Sequence, residues 1–206
     1  LRIPSVPDPR GQQQFLDLLN SYYDYNYRII EKSCGNKLKD IPCEVVYGPL
    51  GNYKFSIASF MQASSEEISG DSFLYKGLKD GKELVVLSDG MGIGERAASE
   101  SQAAINLLES IIDAGFDPDL AIRTVNSALY LRNKEESFTT LDICLFDTFS
   151  RKAIFSKIGA VDTYIKRGWE LIRIESASLP AGILERIEVS HLEIELQAGD
   201  FVIMFT

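Results

Sequence analysis

The sequence ELVVLSDGMGIGERAASE, which runs from Glu83 to Glu100, joins an apolar strand to a helix through a glycine-rich turn. Residues 84–87 form a branched apolar run without polar alternation, which is typical of a strand buried on both faces. Asp89 stands at the end of this strand, and the glycines that begin at Gly90 permit a sharp turn before the helix. The pattern predicts either a carboxylate and a carbonyl that face a metal ion or an aspartate that only caps the helix.

A second acidic turn lies upstream of this stretch. Asp71 precedes a short apolar run at residues 73–75, and an Asp-Gly turn signal at residues 80–81 separates that run from the strand at 84–87. Two strands joined by such a turn pair antiparallel, which brings the start of the first beside the end of the second. Asp71 and Asp89 are therefore predicted to meet at one rim of the sheet, where two carboxylates repel each other unless a cation lies between them.

The composition limits the classes of function that are open to the chain. Its 206 residues, 45% hydrophobic and 25% charged, predict one globular domain with a full core and an N-terminal appendage. A formal net charge of -9 argues against binding to nucleic acid, which requires a basic surface. No apolar run approaches the roughly 20 residues that span a bilayer, so we expect a cytoplasmic domain.

The few cysteines and the single histidine limit the kinds of metal site and catalytic residue that the chain can contain. The three cysteines, Cys34, Cys43 and Cys144, are odd in number and widely spaced, which favours a reducing compartment over a disulfide framework or a structural zinc site. The single histidine, His191, lies in an alternating segment and is predicted to be a solvent-facing strand residue rather than a catalytic one. Acid-base chemistry would then depend on carboxylates or on metal-bound water.

The first 42 residues are predicted to form a linker and a helix outside the main domain, which we place at residues 43–206. Three prolines in residues 1–10 indicate an extended linker. Residues 12–33 carry apolar and aromatic side chains at helical spacing, which predicts a helix that either packs on the domain or docks on a neighbouring domain or a second protomer. Residues 43–47 and 53–63 alternate and predict two strands.

Helices and then strands follow the glycine turn. Apolar stripes predict one helix from residue 93 to 114 and another from 118 to 131, and Pro118 opens the second. Short alternating segments then predict strands at residues 139–147, 152–158, 161–167, 169–174, 187–196 and 200–206. This order predicts an α+β fold in which two packed, mainly antiparallel sheets carry helices on the outside.

Six ordered blocks of sequence resemble the phosphatase domains of the stage II sporulation protein E family, a branch of the metal-dependent, phosphatase 2C-like serine/threonine protein phosphatases. The blocks are SGD at residues 69–71, VLSDGMGIGERAASES at 86–101, TTLDICLFD at 139–147, KIGAVDTYIKRG at 157–168, SLPAGI at 178–183 and AGDFVIMFT at 198–206. The resemblance extends from about Ser69 to the end of the chain and is weaker before it.

The resemblance implies an α-β-β-α sandwich with two Mn²⁺ or Mg²⁺ ions at one edge. Asp71 would ligate one ion, Asp89 would bridge both, and the Gly90 carbonyl would complete part of the shell. Paired ions of this kind lower the pKa of a shared water, which attacks phosphoserine without a covalent phosphoenzyme. The implied substrate is a phosphorylated anti-sigma factor antagonist, whose dephosphorylation frees a sporulation sigma factor.

The resemblance is incomplete at the C-terminus. The family places another Asp-Gly after the strand that ends here at Thr206, and a further aspartate beyond it. Both ends of the chain read as cuts in a longer protein, which has room for membrane anchors elsewhere, so we expect a truncated domain that binds at most one ion tightly and has little activity. Asp142 is the nearest internal substitute, but its flanks match a sheet position of the family, which predicts a structural role.

The two predicted helices would, by resemblance, form a regulatory switch that sets the position of the Gly90 carbonyl and contributes to a homodimer. The alternative is that the amphipathic helices at residues 93–131 only cover one face of the sheet. The N-terminal helix offers a second route to a homodimer.

Two other functions compete with the phosphatase. Residues 92–97 satisfy the pattern G-x-G-x-x-A of dinucleotide-binding turns, but that motif expects a second, parallel strand that ends in an acidic residue about 20 positions later. Asp113 has nearly that spacing, yet the segment before it has helical periodicity. The other alternative is a phosphatase fold that serves as a non-catalytic scaffold, and retention of both Asp71 and Asp89 weighs against it.

Overall fold

The computed structural model describes residues 2–5, 9–23, 26–33, 43–62, 68–91, 94–132, 138–176 and 178–206. The helices are α1 (Pro9–Tyr22), α2 (Glu95–Asp113) and α3 (Pro118–Arg132). The strands are β1 (Arg2–Ser5), β2 (Tyr27–Ser33), β3 (Cys43–Pro49), β4 (Asp71–Gly77), β5 (Lys82–Asp89), β6 (Leu141–Asp147), β7 (Lys152–Ile158), β8 (Thr163–Arg167), β9 (Glu170–Ile174), β10 (His191–Glu195) and β11 (Phe201–Ile203). Within these ranges the strands pair antiparallel and form three sheets.

A five-stranded sheet in the order β10-β7-β6-β5-β4 forms the centre of the molecule. Its inner strands β5 and β6 are buried over most of their length, as their apolar sequences predict. β4 and β5 form the predicted hairpin, and Gly81 in its turn takes a φ of 84°, a conformation that other residues rarely adopt. The register of this hairpin pairs Asp71 with Asp89, so both aspartates lie at the edge remote from the turn.

The helix pair α2 and α3 covers one face of the central sheet. Its buried residues repeat at the spacing of one helix face and pack against alternate residues of β5 and β6, among them Leu84, Val86, Leu141 and Ile143. Gly115, with a φ of 89°, follows the end of α2, and Pro118 opens α3, as predicted. No helix in the described ranges is both long enough and apolar enough to cross a membrane.

The other face of the central sheet packs on a small sheet in the order β11-β8-β9. Val85, Cys144 and Phe155 of the central sheet meet Ile165 and Ile174 of the small sheet in a second apolar cluster. Alternate residues of β5 and β6 therefore enter different cores, which explains why their sequences show no polar alternation. The described residues supply a helix pair on two stacked antiparallel sheets, and the predicted α+β class is confirmed.

The N-terminal helix is shorter than predicted. The helix expected over residues 12–33 is wrong beyond Tyr22, because α1 ends there and residues 27–33 form β2. The Asn20 side chain of α1 is hydrogen-bonded to the first residue of β2: its Oδ1 accepts the Tyr27 N–H at 2.5 Å and its Nδ2 donates to the Tyr27 carbonyl at 3.3 Å. The aromatic residues that suggested a single helix face are thus divided between a helix and a strand.

A third sheet, in the order β1-β3-β2, gathers the N-terminal strands. Residues 2–5 of the predicted linker are extended, but they pair with residues 43–46, and α1 begins at Pro9 inside that linker. α1 packs on this sheet through a cluster that contains Leu19, Val45 and Tyr47. The sheet takes strands from both sides of residue 42, where we placed the domain boundary, and that boundary stays a prediction.

The strand predicted over residues 53–63 is wrong for its described part. Residues 53–62 join no sheet, and the Tyr53 N–H donates to the Thr148 carbonyl at 2.9 Å. Phe55 and Ile57 pack into the second apolar cluster, where the ring centroids of Phe55 and Phe146 lie 4.3 Å apart. The apolar alternation is therefore satisfied by side-chain packing on the central sheet instead of strand pairing, and Ala63 lies outside the described residues.

The strands predicted after the helix pair are all present, but several are shorter than expected. The segment at residues 187–196 is a strand only over His191–Glu195, and the segment at 200–206 only over Phe201–Ile203. These bounds are the residues that pair with β7 and with β8 respectively.

Candidate active site

Two carboxylates lie opposite each other at one edge of the central sheet. Asp71 begins β4 and Asp89 ends β5, and the hairpin register pairs them directly, as predicted. A Cβ atom placed on Gly70 would lie 2.9 Å from the Gly90 carbonyl oxygen and 3.7 Å from Asp89 Oδ1. A carboxylate oxygen and a carbonyl oxygen therefore border the same small space, which glycine at position 70 leaves open.

The strand end that carries Asp71 is held by local hydrogen bonds. Ser69 Oγ donates to Asp71 Oδ2 at 2.9 Å and accepts the Asp71 N–H at 3.3 Å. The Gly90 N–H donates to the Gly70 carbonyl at 3.1 Å, which joins the residue before one aspartate to the residue after the other. These bonds fix the two strand ends with respect to each other.

Two threonines hold the main chain of Asp89. The Asp89 N–H donates to Thr140 Oγ1 at 2.9 Å, and the Asp89 carbonyl accepts the Thr140 N–H at 2.9 Å and the Thr139 hydroxyl at 2.7 Å. Thr139 is 1% exposed and also forms an isolated β-bridge with Gly90. Its Oγ1 lies 2.8 Å from Ser88 Oγ, so three consecutive residues of the β5 end are attached to the segment before β6.

The first turns of α2 close over the same edge. A Cβ atom on Gly90 would lie 2.1 Å from the Ala97 carbonyl oxygen, so the helix backbone touches the turn directly. Ser101 Oγ donates to the Gly70 carbonyl at 2.6 Å and lies 2.7 Å from Ser72 Oγ. α2 thus contacts both strand ends that carry the aspartates, which is the contact that the predicted switch requires.

The two aspartates repel each other unless a cation lies between them. Partial burial raises the pKa of Asp89 above its ordinary value, and the negative charge of Asp71 raises it further. Carboxylate and carbonyl oxygens are the ligands that Mg²⁺ and Mn²⁺ prefer, so the donor set at this edge fits a hard divalent ion. Over the described ranges no group of three or more acidic, histidine or cysteine side chains surrounds such a position, and the assignment of Asp71, Asp89 and Gly90 as ligands stays a prediction.

Asp142 is engaged in a buried ion pair. It is 1% exposed and lies opposite Leu87 across the β5–β6 ladder. Lys157 Nζ lies 2.6 Å from Asp142 Oδ2 and donates to Thr163 Oγ1 at 2.8 Å, and that hydroxyl donates to Asp142 Oδ2 at 2.7 Å. Burial raises the pKa of the Asp142 carboxyl, and the Lys157 ammonium opposes this shift. These contacts link β6, β7 and β8 and support the predicted structural role.

His191 lies on β10, the outermost strand of the central sheet on the side away from β4. It begins β10, which is separated from β5 by β7 and β6, a distance of roughly 14 Å at ordinary strand spacing. Its Nδ1 lies 2.6 Å from Ser156 Oγ, and its side chain is one-third exposed. The predicted strand position is confirmed, and a histidine so placed is remote from the two aspartates.

The sheet topology contradicts the dinucleotide-binding alternative. That motif needs a parallel strand after the first helix, but α2 is followed by α3, and β6 then pairs antiparallel with β5. Gly92 and Ile93 of the motif lie outside the described residues.

The sequence predicted that Asp71 and Asp89 meet beside Gly90, but it did not predict the contacts that hold these residues in place. The residues that hold them act through hydroxyl groups and close backbone contacts, and they are Ser69, Gly70, Ala97, Ser101, Thr139 and Thr140. Serine, threonine and small residues are frequent at strand ends and on helices, so no spacing rule singles them out. The one signal that could have indicated these contacts is the position of Thr139 and Thr140 directly before β6, because β6 is the neighbour of the strand that ends in Asp89.

Known proteins resemble this chain in sequence. The family model for Stage II sporulation protein E (SpoIIE) matches residues 79–206. The stage II sporulation protein E of Priestia megaterium is 40% identical over 139 residues, which cover 68% of this chain and 24% of that protein. The protein of the same name from Bacillus subtilis (strain 168) is 36% identical over 163 residues, which cover 79% of this chain and 20% of that protein. This chain therefore spans a quarter or less of the length of these relatives.

Solved structures resemble the chain as well. The structure of the PP2C phosphatase domain and a fragment of the regulatory domain of SpoIIE from Bacillus subtilis matches with a TM-score of 0.71 and 29% identity, covering 98% of this chain and 60% of that one. The structure of RsbX in complex with magnesium matches in fold, with a TM-score of 0.56 and 22% identity over 68% of this chain and 67% of that one. The predicted phosphatase 2C-like fold is confirmed by these likenesses.

Proposed function

Because this chain belongs to the stage II sporulation protein E family, we propose that it is a metal-dependent protein serine phosphatase that acts in the control of sporulation. The observation that carries the proposal is the pairing of Asp71 with Asp89 at an edge where the Gly90 carbonyl borders the same space. The phosphatase 2C-like fold, shown by the likeness to a solved PP2C phosphatase domain, also supports the proposal.

We propose that Asp71, Asp89 and the Gly90 carbonyl are ligands of Mn²⁺ or Mg²⁺. The complete site would hold two such ions. When bound, such ions polarise phosphoryl oxygens and lower the pKa of a bound water. The residues of this chain hold the ligands in place: Ser69 orients the Asp71 carboxylate, and the Thr139–Thr140 pair fixes the Asp89 main chain. The position of the Gly90 carbonyl depends on α2, whose backbone lies against it.

We propose that the substrate is a phosphorylated anti-sigma factor antagonist. The family membership supports this choice, and the shape of the site is compatible with it. Asp89 is exposed at the rim of the sheet, so a phosphoserine on the surface of another folded protein can reach it. The net charge of -9 continues to argue against a nucleic-acid partner.

Phosphate release from a phosphoserine protein tests the proposed function, with the protein in the full length that its gene encodes. We expect release that requires Mn²⁺, stops on chelation and falls roughly a hundredfold or more in Asp89→Asn, because one side chain of the metal shell loses its charge. Asp80→Asn is the matched control, since Asp80 lies in the exposed turn at the other end of the same hairpin.

Equal rates in the wild type and in Asp89→Asn would contradict the proposal. Tight Mn²⁺ binding without any phosphate release would favour the alternative of a non-catalytic scaffold. For the 206 residues by themselves we propose that at most one ion binds tightly and that activity is low, because the described residues place two carboxylates at the site. Near-normal turnover by this chain would contradict that expectation.

We also propose a homodimer that forms through the helix pair or through α1. Exposed apolar side chains support both routes: Phe116, Leu120 and Leu131 on or beside α3 are 57%, 49% and 81% exposed, and Tyr22 of α1 is 80% exposed. Sedimentation velocity tests this proposal. Leu131→Lys is expected to shift the protein towards the monomer if α3 forms the interface, and Tyr22→Lys if α1 does, whereas a wild-type monomer would contradict both routes.

A further inference from the structure

Asn126 is a polar side chain buried within α3. It is 1% exposed. Its Oδ1 accepts the Gly182 N–H at 2.9 Å, and its Nδ2 donates to the Leu184 carbonyl at 3.0 Å and to the Glu185 carbonyl at 3.3 Å. One acceptor and two donors at these positions require an amide side chain, which neither a carboxylate nor an apolar residue replaces. α3 therefore holds the loop at residues 178–187 from one side.

The same loop is anchored at its two ends. Near its start, Ser178 Oγ donates to the Lys157 carbonyl at 2.9 Å and accepts the Gly159 N–H at 3.3 Å. At its end, Arg123 Nη1 donates to the Ile187 carbonyl at 2.8 Å. The loop is thus held both by α3 and by the central sheet.

The middle of the loop reaches the candidate active site through Thr139. The Ala181 N–H donates to the Thr139 carbonyl at 2.9 Å, and the Thr139 N–H donates to the Ala181 carbonyl at 3.1 Å. Thr139 in turn forms the β-bridge with Gly90 and donates its hydroxyl to the Asp89 carbonyl at 2.7 Å. Hydrogen bonds, joined by the peptide link between Ala181 and Gly182, therefore connect Asn126 to Asp89 and Gly90, two of the three residues that we propose as metal ligands.

We propose that Asn126 is a positioning residue for the metal site, which acts through the loop at residues 178–187 and through Thr139 on the main chain of Asp89 and Gly90. The inference rests on the proposed function. It adds a second connection between the helix pair and the site: α2 touches Gly90 directly at Ala97, whereas α3 reaches it by this separate route.

Asn126→Asp changes the hydrogen bonding while it keeps the shape of the side chain. The carboxylate still accepts the Gly182 N–H, but its second oxygen then faces the carbonyls of Leu184 and Glu185, where the amide donated. Acceptors placed against acceptors repel, so the loop shifts and Thr139 moves with it. Loss of an outer hydrogen bond typically weakens a metal site by about 10–100-fold.

Mn²⁺ affinity is the readout, measured from the electron paramagnetic resonance signal of the free ion with the protein in its full gene-encoded length. We expect Asn126→Asp to bind Mn²⁺ roughly tenfold more weakly or worse than the wild type. Asn106→Asp is the matched control, because Asn106 is exposed on α2 and its side-chain oxygen accepts a hydrogen bond from Gln102, one turn away on the same helix. Its affinity is expected to equal that of the wild type.

A second set of variants tests the same route at Thr139. Thr139→Val removes the hydroxyl and should weaken Mn²⁺ binding, whereas Thr139→Ser keeps it and should retain the affinity. Because both residues act on one series of bonds, the double variant Asn126→Asp/Thr139→Val should lose no more affinity than the weaker-binding single variant.

Each outcome has a distinct meaning. A wild type that binds no Mn²⁺ overturns the proposed function and this inference with it. A wild type that binds Mn²⁺ with the same affinity as Asn126→Asp overturns the inference alone, and so do independent, multiplying losses in the double variant. If circular dichroism shows that Asn126→Asp does not fold, the comparison of Thr139→Val with Thr139→Ser decides, and equal affinities of those two overturn the inference.

Discussion

Two lysines of β7 form ion pairs in different environments. The side chains of Lys157 and Asp142 are 3% and 1% exposed, whereas those of Lys152 and Glu193 are both about half exposed. Removal of one partner from a buried pair leaves an uncompensated charge and costs about 3–5 kcal/mol, but exposed pairs contribute little because water screens them. We therefore expect Lys157→Met to lower the free energy of unfolding by an amount in that range, measured by urea denaturation.

The same substitution at Lys152 is the control. Lys152→Met is expected to change the free energy of unfolding far less, although it lies on the same strand and also removes one ion pair. Equal losses in the two variants would show that burial does not decide the strength of the Lys157–Asp142 pair.

Asp200 gives the stability of the fold a specific dependence on pH. Its side chain is 3% exposed, and it accepts hydrogen bonds from Arg167 Nη2 at 2.7 Å and from the Gln197 N–H at 2.8 Å. The bonds from Arg167 lower the pKa of Asp200 below its ordinary value of 3.8. A carboxyl with a lowered pKa in the folded state stabilises the fold fully above its ordinary pKa, and this contribution disappears as the pH falls through the lowered value.

Asp200→Asn removes this pH-dependent contribution. We expect the melting temperature of the variant to lie below that of the wild type near neutral pH and the difference to shrink as the pH falls below the ordinary carboxyl pKa, because the wild type then loses the same charge. Thermal unfolding followed at several pH values measures this. A difference that stays constant into the acid range would contradict the role given to the Arg167–Asp200 pair.

At the scale of residues, the sequence predicted the pairing of Asp71 with Asp89 better than the contacts that hold the two residues in place. The juxtaposition of Asp71 and Asp89 was predictable because the Asp-Gly turn signal indicates a hairpin, and a hairpin brings the start of its first strand beside the end of its second. Gly70 and Thr139 were not, because their part in the site depends on atoms that lie close only after folding: the Gly90 carbonyl beside Gly70, and the Asp89 carbonyl above the Thr139 hydroxyl.

The contact between α2 and the β5 turn is the element-scale feature on which the site depends. A methyl group at Gly90 would lie 2.1 Å from the Ala97 carbonyl oxygen, so Gly90→Ala must push the first turns of α2 away from the strand. We expect a loss of about 1–3 kcal/mol in the free energy of unfolding, as is usual for overpacking in a rigid environment. Urea denaturation measures this loss.

Gly77→Ala is the matched control at the other end of the hairpin. A Cβ atom at Gly77 has no heavy-atom neighbour within 4 Å, so the added methyl group meets open space. We expect a change in stability of about 1 kcal/mol or less in either direction. A loss at Gly77 as large as the one at Gly90 would contradict the steric argument.

The elements themselves were predictable where pattern and packing agree. The β4–β5 hairpin and the α2–α3 pair combine a clear period with a turn signal, and both are confirmed. The helix predicted over residues 12–33 was wrong beyond Tyr22, because aromatic side chains at helical spacing also fit a helix followed by a strand. The hydrogen bond that the Tyr27 N–H donates to Asn20 Oδ1 joins residues that no periodicity relates. The strand predicted over residues 53–63 was wrong over residues 53–62, because apolar alternation does not reveal whether a partner strand exists.

On the scale of the whole molecule, the stacking of two antiparallel sheets under a helix pair creates the site. The central sheet sends alternate side chains of β5 and β6 into two different cores. Polar residues lie at the rim where β4 begins and β5 ends. The order of helices and strands predicted this architecture, whereas the N-terminal sheet, which joins residues 2–5 to 43–46 across α1, depends on a long-range pairing that no local pattern indicates.

Titration with Mn²⁺ of the wild type and of Asp71→Asn, Asp89→Asn and Asp80→Asn asks directly whether the paired carboxylates hold a metal ion. The proteins in their full gene-encoded length are compared by the resonance signal of the free ion. We expect Asp80→Asn to bind as the wild type does and the other two variants to bind roughly tenfold more weakly or worse, since each removes one charged ligand. Unchanged Mn²⁺ affinity in both Asp71→Asn and Asp89→Asn would contradict the proposed metal site and the proposed phosphatase function that depends on it.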